Sequence, residues 1–314
     1  PLMNFAMQMM LMLVLGYVIA LTKVFKKIIK NITYLCTNSA NAAFVVAFTT
    51  IIVSLFNWGL GLIFGAILAR KVGEHALEKK IDLNYPLIGA AGYSGLMVWH
   101  GGISGSIPLK ISEKNHFSEI ITNENILNKL PENGIHFSET VFSNMNIVVS
   151  ILLILIIPAI LYLIGKNSST SKFKFTEIEK KEEKKNLVGA EKLDYSSFFS
   201  KTIGLFIIIV AIIKATSSIT SFSFITPNFV NLLLLGLAIF LHDNFNTFLS
   251  AVNEAIVSAS GILIQFPLYF GIMGIMNASG LVDVCANFFV NISNHTTYPI
   301  FTMLSGGLVN IFVP

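Results

Sequence analysis

The chain has 314 residues, of which 54% are apolar and only 12% are charged, with a mean hydropathy of +0.73. Soluble proteins carry about 25% charged residues, so this composition excludes a soluble globular protein and predicts a polytopic membrane protein. The net charge is only +4, and we expect the lipid bilayer, not nucleic acid, as a partner.

The first predicted span covers Leu2 to Leu21, which is long enough to cross a hydrocarbon core of ~30 Å. A cluster of four lysines without acids follows between Lys23 and Lys30, and such clusters mark the cytoplasmic side. The lysine stretch is alternatively a small amphipathic surface helix, which would place it on the same side.

Residues 31 to 69 carry no formal charge, and their apolar part is interrupted from Asn57 to Gly61. Basic residues flank this stretch on both sides, which conflicts with the orientation rule for a single crossing. A re-entrant hairpin with its tip at Asn57–Gly61 satisfies the rule. A single tilted helix is the alternative.

The next uncharged stretch, Leu83 to Leu109, ends in the sequence WHGGISGSIPL. Helix-breaking residues are too dense there for close helix packing alone to explain them. Unwound backbone with serine hydroxyls is typical of carboxylate or sodium sites in transporters. We expect residues 110 to 138 to form a polar external loop.

The rest of the chain alternates between apolar and polar segments. We predict a charged cytoplasmic linker at 166–201, an interfacial amphipathic helix within 242–260 and an external loop at 277–298. The predicted membrane segments are 140–165, 202–221, 228–241, 261–276 and a re-entrant segment from 299 to 314.

Two segments resemble each other across the chain. Phe48 to Asn57 and Phe301 to Asn310 both read Phe-Thr, seven mostly small or apolar residues, then Asn. Paired breaks in inverted repeats are typical of secondary transporters. We therefore predict an all-α membrane protein with two inverted repeats, each with a re-entrant helical hairpin. The predicted divisions are residues 1–165, a linker at 166–201, and a second half at 202–314.

A small carboxylate bound in mid-membrane needs hydrogen-bond donors without a costly fixed charge, and helix N-termini supply such donors. His100 is the one titratable group near the glycine cluster, and either a proton-coupling or a structural role is open. Nucleotide-binding, hydrolase and metal-ligand motifs are absent from the sequence, which argues against an ATP-driven pump or a membrane enzyme. The candidate substrate-binding residues are Asn57, Trp58, Gly59, Gly61, Gly102, Ser104, Gly105, Ser106, Gln265 and Asn310.

Four segments resemble one known family. They are FNWGLGLIFGAILARKV (56–72), YPLIGAAGYSGLMVWHGGISGSIPL (85–109), GILIQFPLYFGIM (261–273) and YPIFTMLSGGLVNIFVP (298–314). They are similar to the bacterial short-chain fatty acid transporters, the acetoacetate and butyrate uptake carriers of the ion transporter superfamily. Family members extend beyond both ends, so we expect this chain to be a fragment. His100 stands where the family more often has glycine.

The resemblance implies import of small monocarboxylates across the bacterial inner membrane, without a cofactor but with H⁺ or Na⁺ as a candidate coupling ion. Alternating access is the expected mechanism, and a homo-oligomer is left open. The alternatives are a carrier of another organic anion (a dicarboxylate or an aminobenzoyl conjugate), a passive anion channel, and an intramembrane enzyme.

Overall fold

The computed structural model describes residues 2–121, 124–171, 173, 189, 191–216 and 224–312, and these ranges contain helices and turns but no β-strand. The helices are α1 (Leu2–Ala20), α2 (Lys23–Thr33), α3 (Ser39–Phe56), α4 (Trp58–Lys79), α5 (Tyr85–Tyr93), α6 (Ser106–Ile111), α7 (His116–Ile120), α8 (Glu124–Leu127), α9 (Asn144–Asn167), α10 (Glu191–Asp194), α11 (Ser197–Thr216), α12 (Pro227–Leu241), α13 (Phe245–Ala278), α14 (Leu281–Ile292) and α15 (Tyr298–Phe312).

Five helices of the described part are long and apolar enough to cross a membrane. Together with the absence of strands in the described ranges, they confirm an all-α polytopic membrane protein. The inverted repeats and the three predicted divisions of the chain stay predictions. The candidate spans are Met3–Ala20, Ser39–Phe56, Asn144–Asn167, Ser197–Thr216 and Phe245–Met276.

The lysine-rich stretch after α1 is helical, as the amphipathic alternative predicted. Thr22 caps α2, since its hydroxyl accepts a hydrogen bond from Phe25 N. Ile29 is buried against α4, whereas the four lysines are exposed.

The chain forms two compact units, whose boundary falls inside α1 and α13. The larger unit, Gln8–Ser258, contains α2 to α12 and most of α1. Within it, Asn231 Nδ2 donates to Gln8 O and His242 Nε2 donates to Val18 O, each at 3.0 Å. Because both contacts follow the same chain order, α1 and α12 run parallel.

The smaller unit consists of Pro1–Met7 and Ala259–Pro314. In it, Phe5 stacks on Phe266 with ring centroids 6.3 Å apart. The rings of Phe289 and Phe301, on α14 and α15, lie 6.5 Å apart.

Two predictions for the C-terminal part are wrong. The separate interfacial helix within 242–260 and the span at 261–276 form one 34-residue helix, α13. Alanine and leucine favour helix in its first half, and the helix continues through Gly261 and Pro267. The predicted loop 277–298 contains α14, which starts after Gly280 at φ +70°.

The predicted break at Asn310 is also absent. α15 continues through this position to Phe312, whereas α3 ends one residue before Asn57. The helix hydrogen bonds therefore continue at the second position although the sequence pattern is similar. The side chain of Asn310 lies outside the described part of the structure.

Candidate functional site

The helix break at Asn57 is a turn of one residue between α3 and α4. Asn57 is extended, with φ −149° and ψ 121°. Its Oδ1 accepts a hydrogen bond from Leu60 N at 2.7 Å, and its carbonyl accepts one from Gly61 N at 2.8 Å. Asparagine is a favoured N-cap residue because its side-chain oxygen accepts a hydrogen bond from an N–H of the first turn, here Leu60 N, that has no partner within the helix.

Small residues bring α3 and α4 together as an antiparallel hairpin. A Cβ on Gly61 would lie 2.0 Å from Ser54 Oγ, and a Cβ on Gly65 would lie 2.8 Å from Thr50 Cγ2. Residue 61 thus contacts residue 54, and residue 65 contacts residue 50, so the two helices run antiparallel. The predicted pair of antiparallel helices with a break at Asn57 is therefore present, whereas its re-entrant placement in the membrane stays a prediction.

Residues 94 to 105 form an unwound segment. It overlaps the predicted unwound cluster at Trp99 to Leu109, but it starts earlier and ends where α6 begins at Ser106. It contains two short 3₁₀ turns, Ser94–Met97 and Trp99–Gly101, followed by extended backbone at Gly102. Ile103 N donates to Leu55 O at 2.8 Å, and Ser104 Oγ accepts from Trp58 N at 2.9 Å. The loop thus caps both the last turn of α3 and the first turn of α4.

The approach of this loop depends on glycine. A Cβ on Gly102 would lie 2.5 Å from Leu55 O. Asn146, in the first turn of α9, holds the loop from the other side by donating from Nδ2 to Gly101 O at 2.9 Å. The backbone at Gly101 and Gly102 is therefore held between α9 and the end of α3.

α1 packs directly on the tip. A Cβ on Gly16 would lie 2.6 Å from Asn57 Oδ1, and a Cβ on Gly59 would lie 2.8 Å from Leu13 Cα. Small residues allow this helix–helix distance. Gly59 thus serves packing with α1.

An aromatic pair lies beside the tip. The indoles of Trp58 and Trp99 form a T-shaped contact, with ring centroids 4.9 Å apart and an interplanar angle of 70°. The imidazole of His100 lies 4.3 Å from the Trp99 ring. Trp58 is buried, whereas His100 is exposed.

Four buried polar atoms in the hairpin have no hydrogen-bond partner among the described residues. They are Thr50 Oγ1, Ser54 Oγ, Asn57 Nδ2 and Trp58 Nε1. The amide and indole nitrogens can only donate hydrogen bonds, and the hydroxyls can donate one each. Buried polar groups are normally paired, so this row of free donors indicates a place for an acceptor.

The site carries no fixed charge. The segments that meet at the tip are 2–21, 31–69 and 83–109, and none contains Lys, Arg, Asp or Glu. Asn57, Thr50, Ser54 and Ser104 have 0% exposure. The tip is therefore closed to solvent in this conformation.

At several predicted site residues, the backbone N–H groups that we expected to bind substrate already have hydrogen-bond partners. The backbone N–H groups of Trp58, Gly61 and Gly105 are already bonded, to Ser104 Oγ, Asn57 O and Gly102 O. Side chains therefore supply the free donors. Ser106 is only partly buried, in the first turn of α6, and its hydroxyl makes no hydrogen bond within the described residues.

Gln265 lies exposed on α13 in the smaller unit. Its predicted role and that of Asn310 stay predictions.

Sequence reasoning missed Thr50 and Ser54. Their signal is a spacing of four residues, which places both on one face of α3. It also missed Gly16 and Asn146, which contact the tip and its loop from α1 and α9. These are long-range contacts without a local pattern.

Comparison with known proteins gives one family. Residues 1–314 match the family described as "Short chain fatty acid transporter". A protein of Escherichia coli (strain K12) named "Putative short-chain fatty acid transporter" is 30% identical over 319 residues, which cover 100% of this chain and 69% of that protein.

A protein of the same name from Haemophilus influenzae (strain Rd) is 31% identical over 325 residues, with the same coverage of the two chains. No solved structure matches the chain.

Proposed function

Because the chain belongs to the short-chain fatty acid transporter family, we propose that it imports small monocarboxylates such as acetoacetate and butyrate across the bacterial inner membrane. The family makes it a transport protein and not an enzyme, and five apolar helices of the described part make it a membrane protein. The proposal adds the substrate, the direction, the inner membrane and an ion-coupled mechanism.

The observation that carries the substrate class is the pair of free nitrogen donors at the hairpin tip. Asn57 Nδ2 and Trp58 Nε1 are buried and have no acceptor in the described part of the chain. A carboxylate offers two acceptor oxygens and strengthens the hydrogen bonds that it accepts. Its single charge would be stabilised by the N-terminus of α4 without a buried lysine or arginine.

The apolar tail of a short fatty acid also fits the surroundings. The Trp58 and Trp99 rings and the apolar face of α1 lie beside the donors. A second carboxylate, as in a dicarboxylate, would need a second set of donors or a cation. The three uncharged segments at the tip contain no Lys or Arg that could balance a second negative charge.

The depth of the tip supports a binding place inside the membrane. Arg70 is the first charged residue of α4, thirteen residues after Asn57, which corresponds to ~20 Å of helix. The hydrocarbon core is about 30 Å thick. A tip ~20 Å from the first charge lies inside the core, as expected for a re-entrant hairpin.

The closed tip supports alternating access. Because Asn57 and Ser104 are fully buried, substrate reaches the donors only after the hairpin, the unwound 94–105 segment or α1 moves. We propose that this movement alternately opens the site to the two sides of the membrane.

The experiment is uptake of radiolabelled butyrate by the full-length protein in proteoliposomes, with proton and sodium gradients imposed separately. Accumulation above the external concentration under one gradient is the expected result, and that gradient identifies the coupling ion. Flux that only equalises the two concentrations would identify a passive channel. Accumulation of a dicarboxylate or an aminobenzoyl conjugate, with no butyrate uptake, would overturn the substrate assignment.

A further inference from the structure

Helix α2 separates charge from apolar side chains around its axis. Lys23, Lys26, Lys27 and Lys30 fall on one side when successive residues are placed 100° apart. All four lysines are exposed. A short helix with lysines on one face and apolar residues on the other is typical of the membrane surface.

The apolar side of α2 is fixed to the hairpin. Ile29 is 1% exposed, and the Phe25 ring makes a T-shaped contact with Phe64 on α4 at 6.2 Å. Just after the helix, Tyr34 contacts His75 at 5.5 Å. α2 therefore follows α4 from Phe64 towards His75, and this section of α4 contains its first charged residues, Arg70 and Lys71.

A second apolar strip on α2 has no protein cover. Val24 is 46% exposed and Ile28, one turn later, is 42% exposed. They lie between the buried face and the lysines. This order of core, exposed apolar strip and lysines corresponds to the order of protein, acyl chains and headgroups at a bilayer surface.

Three of the four lysines have no ion-pair partner in the described part of the chain. Lys23 pairs with Asp243 at 2.5 Å. Lys26, Lys27 and Lys30 make no such contact with described residues. Three cations beside an exposed apolar strip are complementary to anionic headgroups above acyl chains.

We propose that α2 is a binding surface for anionic phospholipids at the cytoplasmic face of the membrane. Lys26, Lys27 and Lys30 bind the lipid phosphates, and Val24 and Ile28 lie at the start of the acyl chains. Because α2 packs on α4, a lipid bound here also stabilises the base of the hairpin. The lipid class is a phospholipid with net negative charge, such as phosphatidylglycerol.

The test is thermal unfolding of the full-length protein, purified and delipidated in a neutral detergent, during titration with phosphatidylglycerol or phosphatidylcholine. We expect phosphatidylglycerol to raise the melting temperature at lower concentration than phosphatidylcholine. In the K26Q/K27Q/K30Q variant, the half-maximal phosphatidylglycerol concentration should rise about tenfold or more, since each lysine near an anionic surface contributes a several-fold factor.

Two controls separate this surface from general electrostatics. K79Q/K80Q/K166Q removes the same charge from other exposed positions and should leave the titration unchanged, whereas K26R/K27R/K30R keeps the charge and should bind like wild type. An equal loss in both glutamine variants would overturn the proposal. Stabilisation of wild type by glycerol 3-phosphate alone, or no preference for phosphatidylglycerol, would overturn it as well.

Discussion

Gly92 shows how closely the helix backbones approach in the larger unit. A Cβ on Gly92 would lie 2.6 Å from the carbonyl oxygen of Gly65, whereas a Cβ on Gly89, one turn earlier on α5, meets nothing within 4 Å. Overpacking of this kind typically costs about 1–3 kcal/mol. Gly92 is therefore a position where alanine should clash, and Gly89 is a control position in the same helix.

We predict that Gly92→Ala lowers the melting temperature of the purified protein by several degrees and that Gly89→Ala leaves it unchanged or raises it, because alanine favours helix. Thermal unfolding in detergent measures both. Equal melting temperatures for the two variants would contradict the close contact of α4 and α5.

His242 links stability to pH in the turn between α12 and α13. Burial lowers the pKa of His242, and Lys26 adds to this, whereas the hydrogen bond to the Val18 carbonyl and the Asp243 charge act in the opposite direction. Since the unfolded chain takes up the proton at about pH 6.5, it binds more protons than the folded chain between the lowered pKa and 6.5. Stability is therefore fully present above pH 6.5 and falls as the pH drops.

We expect the melting temperature of the wild type to fall more between pH 7.5 and pH 5.5 than that of His242→Gln. Glutamine can still donate to the Val18 carbonyl but does not titrate. His295→Gln replaces an exposed histidine and serves as the control. Parallel pH profiles for the wild type and His242→Gln would count against the burial of a neutral imidazole.

At the scale of elements, the unwound 94–105 segment and the α3–α4 hairpin stabilise each other. Ser104 supplies the acceptor for Trp58 N, and Ile103 supplies the donor for Leu55 O. Removing one partner of a buried backbone group costs about 1–3 kcal/mol. Ser106, two residues later, caps nothing among the described residues.

Ser104→Ala should therefore lower the melting temperature and reduce butyrate uptake, because the first turn of α4 loosens. Ser106→Ala should keep the wild-type melting temperature, because the Ser106 hydroxyl caps no helix among the described residues. If the two variants lost the same stability, the cap assigned to Ser104 would be wrong.

The sequence was sufficient to predict two places in the first half of the chain where an uncharged stretch is not helical. The break at Asn57 and the unwound backbone from Trp99 to Gly105 were predictable because Asn and clustered Gly–Ser residues weaken helices locally. The prediction wrongly extended the unwound backbone to Leu109, which lies in α6. The spans α1 and α9 followed from apolar runs of sufficient length. Each of these signals lies within a few residues of the structure it determines.

Other features depend on contacts that are distant in the sequence. The partner of Trp58 N is Ser104, 46 residues away, and the residue that packs on Asn57 is Gly16. The sequence therefore pointed to backbone donors at the tip, although tertiary contacts occupy several of them. The prediction of a helix break at Asn310 was wrong. The sequence pattern that it shares with Phe48 to Asn57 does not by itself interrupt the backbone hydrogen bonds of a helix, and α15 continues to Phe312.

At the scale of the whole molecule, the hairpin predicts a specific membrane topology. α3 starts and α4 ends at the same end of an antiparallel pair, since residue 54 lies opposite 61 and residue 50 opposite 65. Both ends should face the cytoplasm, where positive charges are enriched. Thr37 and Lys79 are exposed positions near these ends.

We predict that single cysteines placed at Thr37 and at Lys79, in a background without the native cysteines, react with a membrane-impermeant maleimide only from the cytoplasmic side. Inverted and right-side-out vesicles distinguish the two faces. Labelling of the two positions from opposite faces would show that the stretch crosses the membrane once.

The most direct test of the site concerns the Asn57 amide. Asn57→Asp keeps an oxygen to accept from Leu60 N, but it replaces the Nδ2 donor by a negatively charged oxygen that repels a carboxylate. Asn38 caps α3 in the same way, accepting from Asn41 N at 2.8 Å, but at an exposed position. Asn38→Asp therefore controls for the change of the capping residue, and the melting temperature of Asn57→Asp reports the cost of burying the charge. Trp58→Phe removes the second donor, and losing one hydrogen bond to a charged group costs about 1.5–3 kcal/mol.

The measurement is gradient-driven butyrate uptake in proteoliposomes by the full-length wild type and these three variants, with melting temperatures recorded in parallel. We predict that Asn57→Asp is folded but transports no butyrate, that Trp58→Phe needs at least tenfold more butyrate, and that Asn38→Asp transports like wild type. Uptake by Asn57→Asp equal to that of Asn38→Asp would contradict a carboxylate site at the hairpin tip.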